Sequence, residues 1–219
     1  MLNLPLQHLY KAADPAVQAQ WLLVLMHGVG SNEQDLFGLA DFVPSAFHVL
    51  SLRAPNIMAP HMYAWFQFGV NPDGSRTIHA EQEKASRALI EQTVQQASAQ
   101  LGVPAERVVL GGFSQGGIMS LSVLLTQPAL LKACMVWHSR LLPEIAGQEA
   151  DASALAGHQA WISHGTQDDV IPLAQAHTIR SHLQATPVAL SYREYPCRHE
   201  LHPQELQDSM RWLQALTQS

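Results

Sequence analysis

Positive charge is scarce in this chain and nowhere concentrated. Twelve Lys and Arg stand against 18 Asp and Glu in 219 residues, a formal net charge of −6. With no Lys/Arg cluster there is no electrostatic footprint for a phosphate backbone, and a nucleic-acid partner is not expected. Cysteine is nearly absent: Cys134 lies in an apolar run and Cys197 in a polar one. Two such thiols make no disulfide framework, which points to a reducing, cytoplasmic compartment. No run of about 18 apolar residues exists, so no membrane span is expected. Met1–Lys11 carries a proline and polar residues where a signal peptide would carry an apolar stretch. Histidine is plentiful, at 12 residues. Yet there is no H-E-x-x-H and no Cys/His cluster at ligand spacing, so no metal site is expected.

What is present is enough apolar residue, 47% of the chain, to bury a sizeable core. Residues 1–219 are expected to form one domain. Trp21–Met26 is a continuous apolar run, as a strand covered on both faces requires. Further strands are expected at Leu4–Ala12, Phe47–Leu52, Val108–Gly111, Ala133–Trp137, Ala160–Ser163 and Val188–Tyr195. Helical patterns fall between them, at His79–Leu101, Ile118–Thr126, Pro172–Gln184 and Pro203–Leu216, and Asn32 is placed to cap a helix over Leu36, Leu39 and Ala40. This alternation argues for an α/β fold, a mostly parallel central sheet with helices on both faces. Arg53–Thr77 shows no clear element. It holds Met58, Met62, Trp65 and Phe66 among prolines and glycines, and a loop of this length is usually functional. These four side chains are expected to line a hydrophobic acyl or alcohol site; the competing reading is that they join the core.

The chain is organised around Gly112-Phe113-Ser114-Gln115-Gly116, a G-x-S-x-G match wedged between a strand and a helix. Such a turn holds a serine in a strained backbone and lifts its hydroxyl clear of the sheet. The plain alternative is a Gly-rich turn with a helix-capping serine. A serine hydroxyl is a poor nucleophile and needs a base, which in turn needs a group to orient it. The expected chain order is Ser, then Asp, then His. The loop His164–Pro172 offers Asp168 and Asp169 for the acid, with Asp168 preferred, and both could instead be solvated carboxylates. The stretch after the last strand offers His199 and His202 for the base. His199 is nearer the strand end, while His202, just before Pro203, reads as part of a helix start. The Val29 N–H, in His27-Gly28-Val29-Gly30, and the Gln115 N–H are the expected oxyanion donors.

Taken together, these stretches resemble the phospholipase/carboxylesterase group of α/β-hydrolases, which includes the acyl-protein thioesterases. The likeness rests on Leu110–Gly117 and on His164-Gly165-x-x-Asp168-x-x-Ile171-Pro172, with support from His27-Gly28-x-Gly30, Trp65-Phe66 and His199-Glu200. It implies the α/β-hydrolase fold, a triad of Ser114, Asp168 and His199, a small-molecule ester or thioester substrate and no cofactor. A homodimer is compatible with it. Four positions depart from the family pattern: Ser31 where an acid is frequent, Gln67 where Asp is common, Ser139-Arg140 where Ser-Gly is usual, and Arg198 where glycine often precedes the histidine. They surround the expected site and bear on which substrate is taken. A carboxylesterase is the first expectation, with an acyl-thioesterase or lysophospholipase differing in the leaving group. An acyltransferase and a catalytically silent, ligand-binding hydrolase fold are the competing readings.

Overall fold

The computed structural model describes residues 2–72 and 76–218. Strands β1 (His8–Lys11), β2 (Trp21–Met26) and β3 (Phe47–Leu52) come first, with a one-turn helix α1 (Gln34–Phe37) after β2. Two small hairpins follow, β4 (Asn56–Ala59) with β5 (Met62–Ala64) and β6 (Phe68–Val70) with β7 (Arg76–Ile78). The long helix α2 (Ala80–Leu101) leads to β8 (Val108–Phe113) and α3 (Gln115–Thr126). The chain continues through β9 (Ala133–Trp137), the short α4 (Ala152–Leu155), β10 (Gln159–Gly165), α5 (Leu173–Gln184), β11 (Ala189–Tyr195) and α6 (Pro203–Leu216).

Seven strands form one sheet in the order β1-β3-β2-β8-β9-β10-β11. Six run parallel, and β1 pairs antiparallel with β3. This is the α/β-hydrolase arrangement, a mostly parallel sheet between two helical layers. The apolar runs are continuous because each face needs its own residues. On β2, Leu22, Val24 and Met26 join a cluster with Ile90 and Val94 of α2, Leu121 of α3 and Ile179 of α5. The alternate residues Trp21, Leu23 and Leu25 join the opposite cluster with Leu36 of α1 and Met210 and Leu213 of α6. Strand β3 continues the sheet on one side of β2 and β8 on the other. The sheet order therefore switches direction between β2 and β8, where the loops beyond the strand ends part to leave a crevice.

Three expectations for local structure change. The opening strand is only His8–Lys11, shorter than Leu4–Ala12, because Pro5 supplies no N–H for a longer ladder. The helix after Asn32 is a single turn, Gln34–Phe37, and stops short of Leu39 and Ala40; at its head Asn32 Oδ1 accepts the Gln34 N–H at 3.0 Å, as a capping side chain does. The stretch Arg53–Thr77 is built, not irregular: both hairpins lie within it or at its end. Strands of three or four residues are too short to show a two-residue alternation.

Trp65 follows β5 with no exposed surface, and its indole N–H donates to the His27 carbonyl at 2.9 Å. Trp65→Ala should therefore cost about 3–5 kcal/mol, as large core truncations do. In a chain of this length that lowers Tm by roughly 6–20 °C in a thermal melt. A loss below about 1 kcal/mol would show that the indole is not a core element.

Candidate active site

The turn at Ser114 is set by lack of space. A Cβ on Gly112 would lie 2.2 Å from the Gly116 carbonyl carbon, and one on Gly116 would lie 1.9 Å from the Met26 carbonyl oxygen. Only hydrogen fits at either place, so α3 can start directly against the end of β2. Ser114 takes up the reversal with φ 54° and ψ −116°, a strained conformation for a side-chain-bearing residue. It is held there by its N–H donating to the Trp137 carbonyl at 2.9 Å and by the Ser139 hydroxyl donating to its own carbonyl at 2.9 Å.

Loops from three strand ends meet over this serine. The Ser114 hydroxyl donates to His199 Nε2 at 2.9 Å. His199 Nδ1 donates to Asp168 Oδ2 at 2.7 Å. The other carboxylate oxygen of Asp168 accepts the N–H groups of Val170 and Ile171 at 2.9 and 2.8 Å. Burial pushes the Asp168 carboxyl up, but hydrogen bonds from His199, the Ile171 N–H and His138 outweigh it and hold the group below the usual carboxylate range. Phe113 packs on the His199 ring with centroids 4.8 Å apart.

The alternatives left open by the sequence separate here. Asp169 is exposed and ion-paired with Arg198, away from His199. His202 heads α6: its Nδ1 accepts the Gln204 N–H at 3.1 Å, and Glu205 Oε2 accepts the His202 N–H at 3.1 Å.

Val29, Phe66, Gln115, Ile118 and Ile171 border a narrow cleft over Ser114, about 20 Å³ in volume. Gln115 begins α3, so its N–H is one of the helix's unpaired donors and faces developing negative charge favourably. The loop carrying Val29 is fixed by a buried neutral imidazole. Burial holds His27 below its ordinary pKa, its Nδ1 donates to the Gly28 carbonyl at 2.7 Å, and its Nε2 accepts the Ala54 N–H at 3.1 Å. The Gln115 side chain ties the two halves of the site together. It accepts the Trp65 N–H at 2.8 Å and donates to the Phe66 carbonyl at 2.6 Å.

The four candidate substrate contacts are dispersed. Phe66 borders the cleft. Trp65 belongs to the core, and Met58 and Met62 lie half-exposed on the β4–β5 hairpin, outside the cleft wall. Met62 Cε lies against the loop that carries Val29, 3.4 Å from where a Cβ on Gly30 would stand.

His138 and Glu205 went unnoticed in the sequence. His138 is fully buried behind Asp168, with Nδ1 3.1 Å from Asp168 Oδ2 and Nε2 3.2 Å from Glu205 Oε2. Burial opposes its charge, but Glu205 and Asp168 outweigh burial and raise its pKa. His164, stacked on His138 at 5.2 Å, is pushed the other way by burial and donates from Nε2 to the Ile171 carbonyl at 2.7 Å. The signal available was position: Trp137-His138-Ser139 leaves β9 beside the turn, and Glu205 lies three residues after His202 at the head of α6.

Two groups, His138–Cys197–Glu205 and His138–His164–Asp168, hold donor atoms within 4.8 Å of one another. Both ring nitrogens of His138 are already committed to carboxylates. Burial first, then the nearby carboxylates, push the Cys197 thiol up to about 11, which favours S–H over a metal-binding thiolate. The donor set therefore reads as a proton-linked cluster.

A model of the family described as Phospholipase/Carboxylesterase matches residues 10–217. The esterase YpfH of Escherichia coli (strain K12) is 33% identical over 170 residues, 74% of this chain and 68% of that protein. An acyl-protein thioesterase 1 from Kluyveromyces lactis is 27% identical over 182 residues, 74% of this chain and 76% of that protein. Among solved structures, a Bacillus cereus carboxylesterase superposes with a TM-score of 0.83 over 96% of this chain and 94% of that one, at 23% identity.

The proton on His138 has a measurable signature. A raised pKa contributes stability in full below the unfolded value of about 6.5 and loses it as pH rises through the folded value. The titratable groups facing the ring are Asp168, Glu205, His164, His199 and Cys197. The unfolding free energy of the parent minus that of His138→Gln should thus be largest in mild acid and shrink toward alkaline pH. Urea unfolding from about pH 5.5 to about 8.5 measures it. A difference that stays constant with pH would show that the ring does not hold its proton.

Proposed function

The chain belongs to the phospholipase/carboxylesterase family and is a hydrolytic enzyme; on that premise we propose that it is a serine esterase working through an acyl-enzyme, with Ser114, His199 and Asp168 as its triad. The observation that carries this reading is the unbroken run of hydrogen bonds from Ser114 Oγ through His199 to Asp168. Ser114 attacks the acyl carbonyl while His199 Nε2 takes the hydroxyl proton. The oxygen of the carbonyl becomes an oxyanion, stabilised by the N–H groups of Gln115 and Val29. His199, now a cation balanced by Asp168, returns the proton to the leaving alcohol. Water repeats the sequence on the acyl-serine and releases the acid. Asp168 keeps the imidazole in the tautomer with hydrogen on Nδ1 and stays ionised throughout, consistent with its four hydrogen bonds.

A carboxylic ester of a small molecule is the proposed substrate. A thioester meets the same machinery with a thiolate leaving group, and the thioesterase among the relatives makes it the second reading. Apolar contact near the scissile bond falls to Phe66, Phe68, Ile118 and Ile171, which border the cleft. A cytoplasmic location remains part of the proposal.

A fluorophosphonate probe should label the parent at one serine and leave Ser114→Ala unlabelled, because only an activated hydroxyl reacts. Ser114→Ala should lose several orders of magnitude in ester hydrolysis with its melting curve preserved. Retention of more than about 10% of parental activity would remove Ser114 from the covalent step. Asp168→Asn should cost up to roughly 10⁴-fold in kcat, the loss a serine protease suffers when the same exchange sets its histidine in the wrong tautomer, while Asp169→Asn stays close to the parent. Comparable losses from the two would dissolve the distinction between them.

A further inference from the structure

Four arginines meet a carboxylate: Arg53 with Glu33, Arg87 with Glu83, Arg198 with Asp169 and Arg211 with Asp208. The other five, Arg76, Arg107, Arg140, Arg180 and Arg193, meet none among the described residues, and of these Arg140 and Arg76 stand at the catalytic cleft. They also border a second, larger groove of about 570 Å³, so the two spaces share these side chains as a common wall. Arg140 Nε is buried without a hydrogen-bond partner. Arg140 as a whole is half-buried, but its guanidinium cannot shed its proton at neutral pH, and shielding even part of it from water without a partner is costly. Burial is the main cost to the Arg140 cation; Glu144 offsets part of it from a distance, and the nearby charge of Arg76 adds a smaller opposing effect. Arg76 is held in place by stacking over the Phe68 ring at 5.0 Å and by donating to the Val170 carbonyl at 2.7 Å. The carboxylate at the groove wall, Asp169, is already neutralised by Arg198.

Resting on the serine-esterase reading for the place of the scissile bond, we propose that Arg140 and Arg76 form a subsite for an anionic oxygen group, carboxylate or phosphate, carried by the substrate beside its ester. Planar guanidinium forks match either group through paired N–H donors. The anion supplies the partner that Arg140 Nε lacks and relieves the opposition between the two cations. It also explains a position the hydrolytic machinery leaves unused: Arg140 lies two residues beyond His138, on the loop whose Ser139 props the Ser114 carbonyl. In a chain of net charge −6, the pair gives the mouth of the site a local sign opposite to that of the whole molecule.

The test compares matched esters. Mono-4-nitrophenyl glutarate against 4-nitrophenyl valerate reads a carboxylate on the acyl side. The acetyl ester of glycerol 3-phosphate against monoacetylglycerol reads a phosphate on the alcohol side. The parent should favour the anionic member of one pair by about tenfold or more in kcat/KM, and the preference should fall with added salt. The pair that shows it identifies the group. Arg140→Met should collapse that ratio toward unity, Arg140→Lys should keep part of it, and Arg76→Gln, on the hairpin, should reduce it if Arg140→Met does not melt as a folded protein. A parent that hydrolyses both pairs with no anionic preference overturns the subsite and leaves the serine reading standing. If the parent neither hydrolyses these esters nor takes the fluorophosphonate label, the serine reading fails and binding decides the subsite. Glutarate or glycerol 3-phosphate raising Tm in the parent but not in the Arg140 variant upholds it; no shift with either anion overturns it.

Discussion

The carbonyl oxygen of Met26 stands where a side chain on Gly116 would have to begin, 1.9 Å from that ideal Cβ position. The rest of the site depends on this contact. It brings the first turn of α3 against the end of β2, so the loop holding Val29 and the N–H of Gln115 come to border the same cleft as Ser114. The Gln115 side chain then reaches across to the Trp65–Phe66 backbone and fastens the hairpin region to the same point. Close packing at a backbone-to-backbone crossing is stiff, because no rotamer can relax it. The strain at Ser114 is sustained by that stiffness and by the bonds that its N–H and carbonyl make to Trp137 and Ser139.

Charge behind the serine follows a second rule. Asp168 is ringed by three imidazoles, each in a different circumstance. His199 bonds to it and to the serine; His138 bonds to it and to Glu205; His164 spends its Nε2 proton on a carbonyl instead. Two buried carboxylates facing one ring favour a cation there, which raises His138, whereas His164 stays neutral through burial. A buried ionic cluster of this kind stabilises little by itself, but removing one member leaves the others uncompensated. The capping of α6 is part of the same cluster, since Glu205 serves both His138 and the His202 N–H.

The sheet was legible because a doubly covered strand writes itself as an unbroken apolar run: β2, β3 and β9 are bounded as Trp21–Met26, Phe47–Leu52 and Ala133–Trp137 suggest. The turn at Ser114 was legible because only glycine tolerates the crossing at Gly112 and Gly116. The hairpins between Asn56 and Ile78 were not, since each strand is shorter than the period needed to recognise it. Adjacent chemistry also hides in sequence. Asp168 and Asp169 are identical in type, and what separates them is the Val170 and Ile171 amides on one and Arg198 on the other. His138 and Glu205 are 67 positions apart and acquire meaning only when β9 and α6 meet. Met58 and Met62 show the limit of composition: soft side chains suggest a pocket, but these two are half-exposed and do not border the cleft over Ser114.

Ser114, Asp168 and His199 each sit just beyond the end of a different strand, β8, β10 and β11, with β9 lying between the first two. Their juxtaposition is thus a property of the assembled sheet and of no local segment. Parallel strands joined through helices are contacts of long sequence separation, formed late and at a cost in loop-closure entropy. A partly folded chain with β2, β8 and α3 in place already presents a bent serine, but no proton acceptor. On the proposed mechanism, nucleophilicity therefore requires the assembled sheet, and a chain without β10 and β11 in place would be inert toward esters.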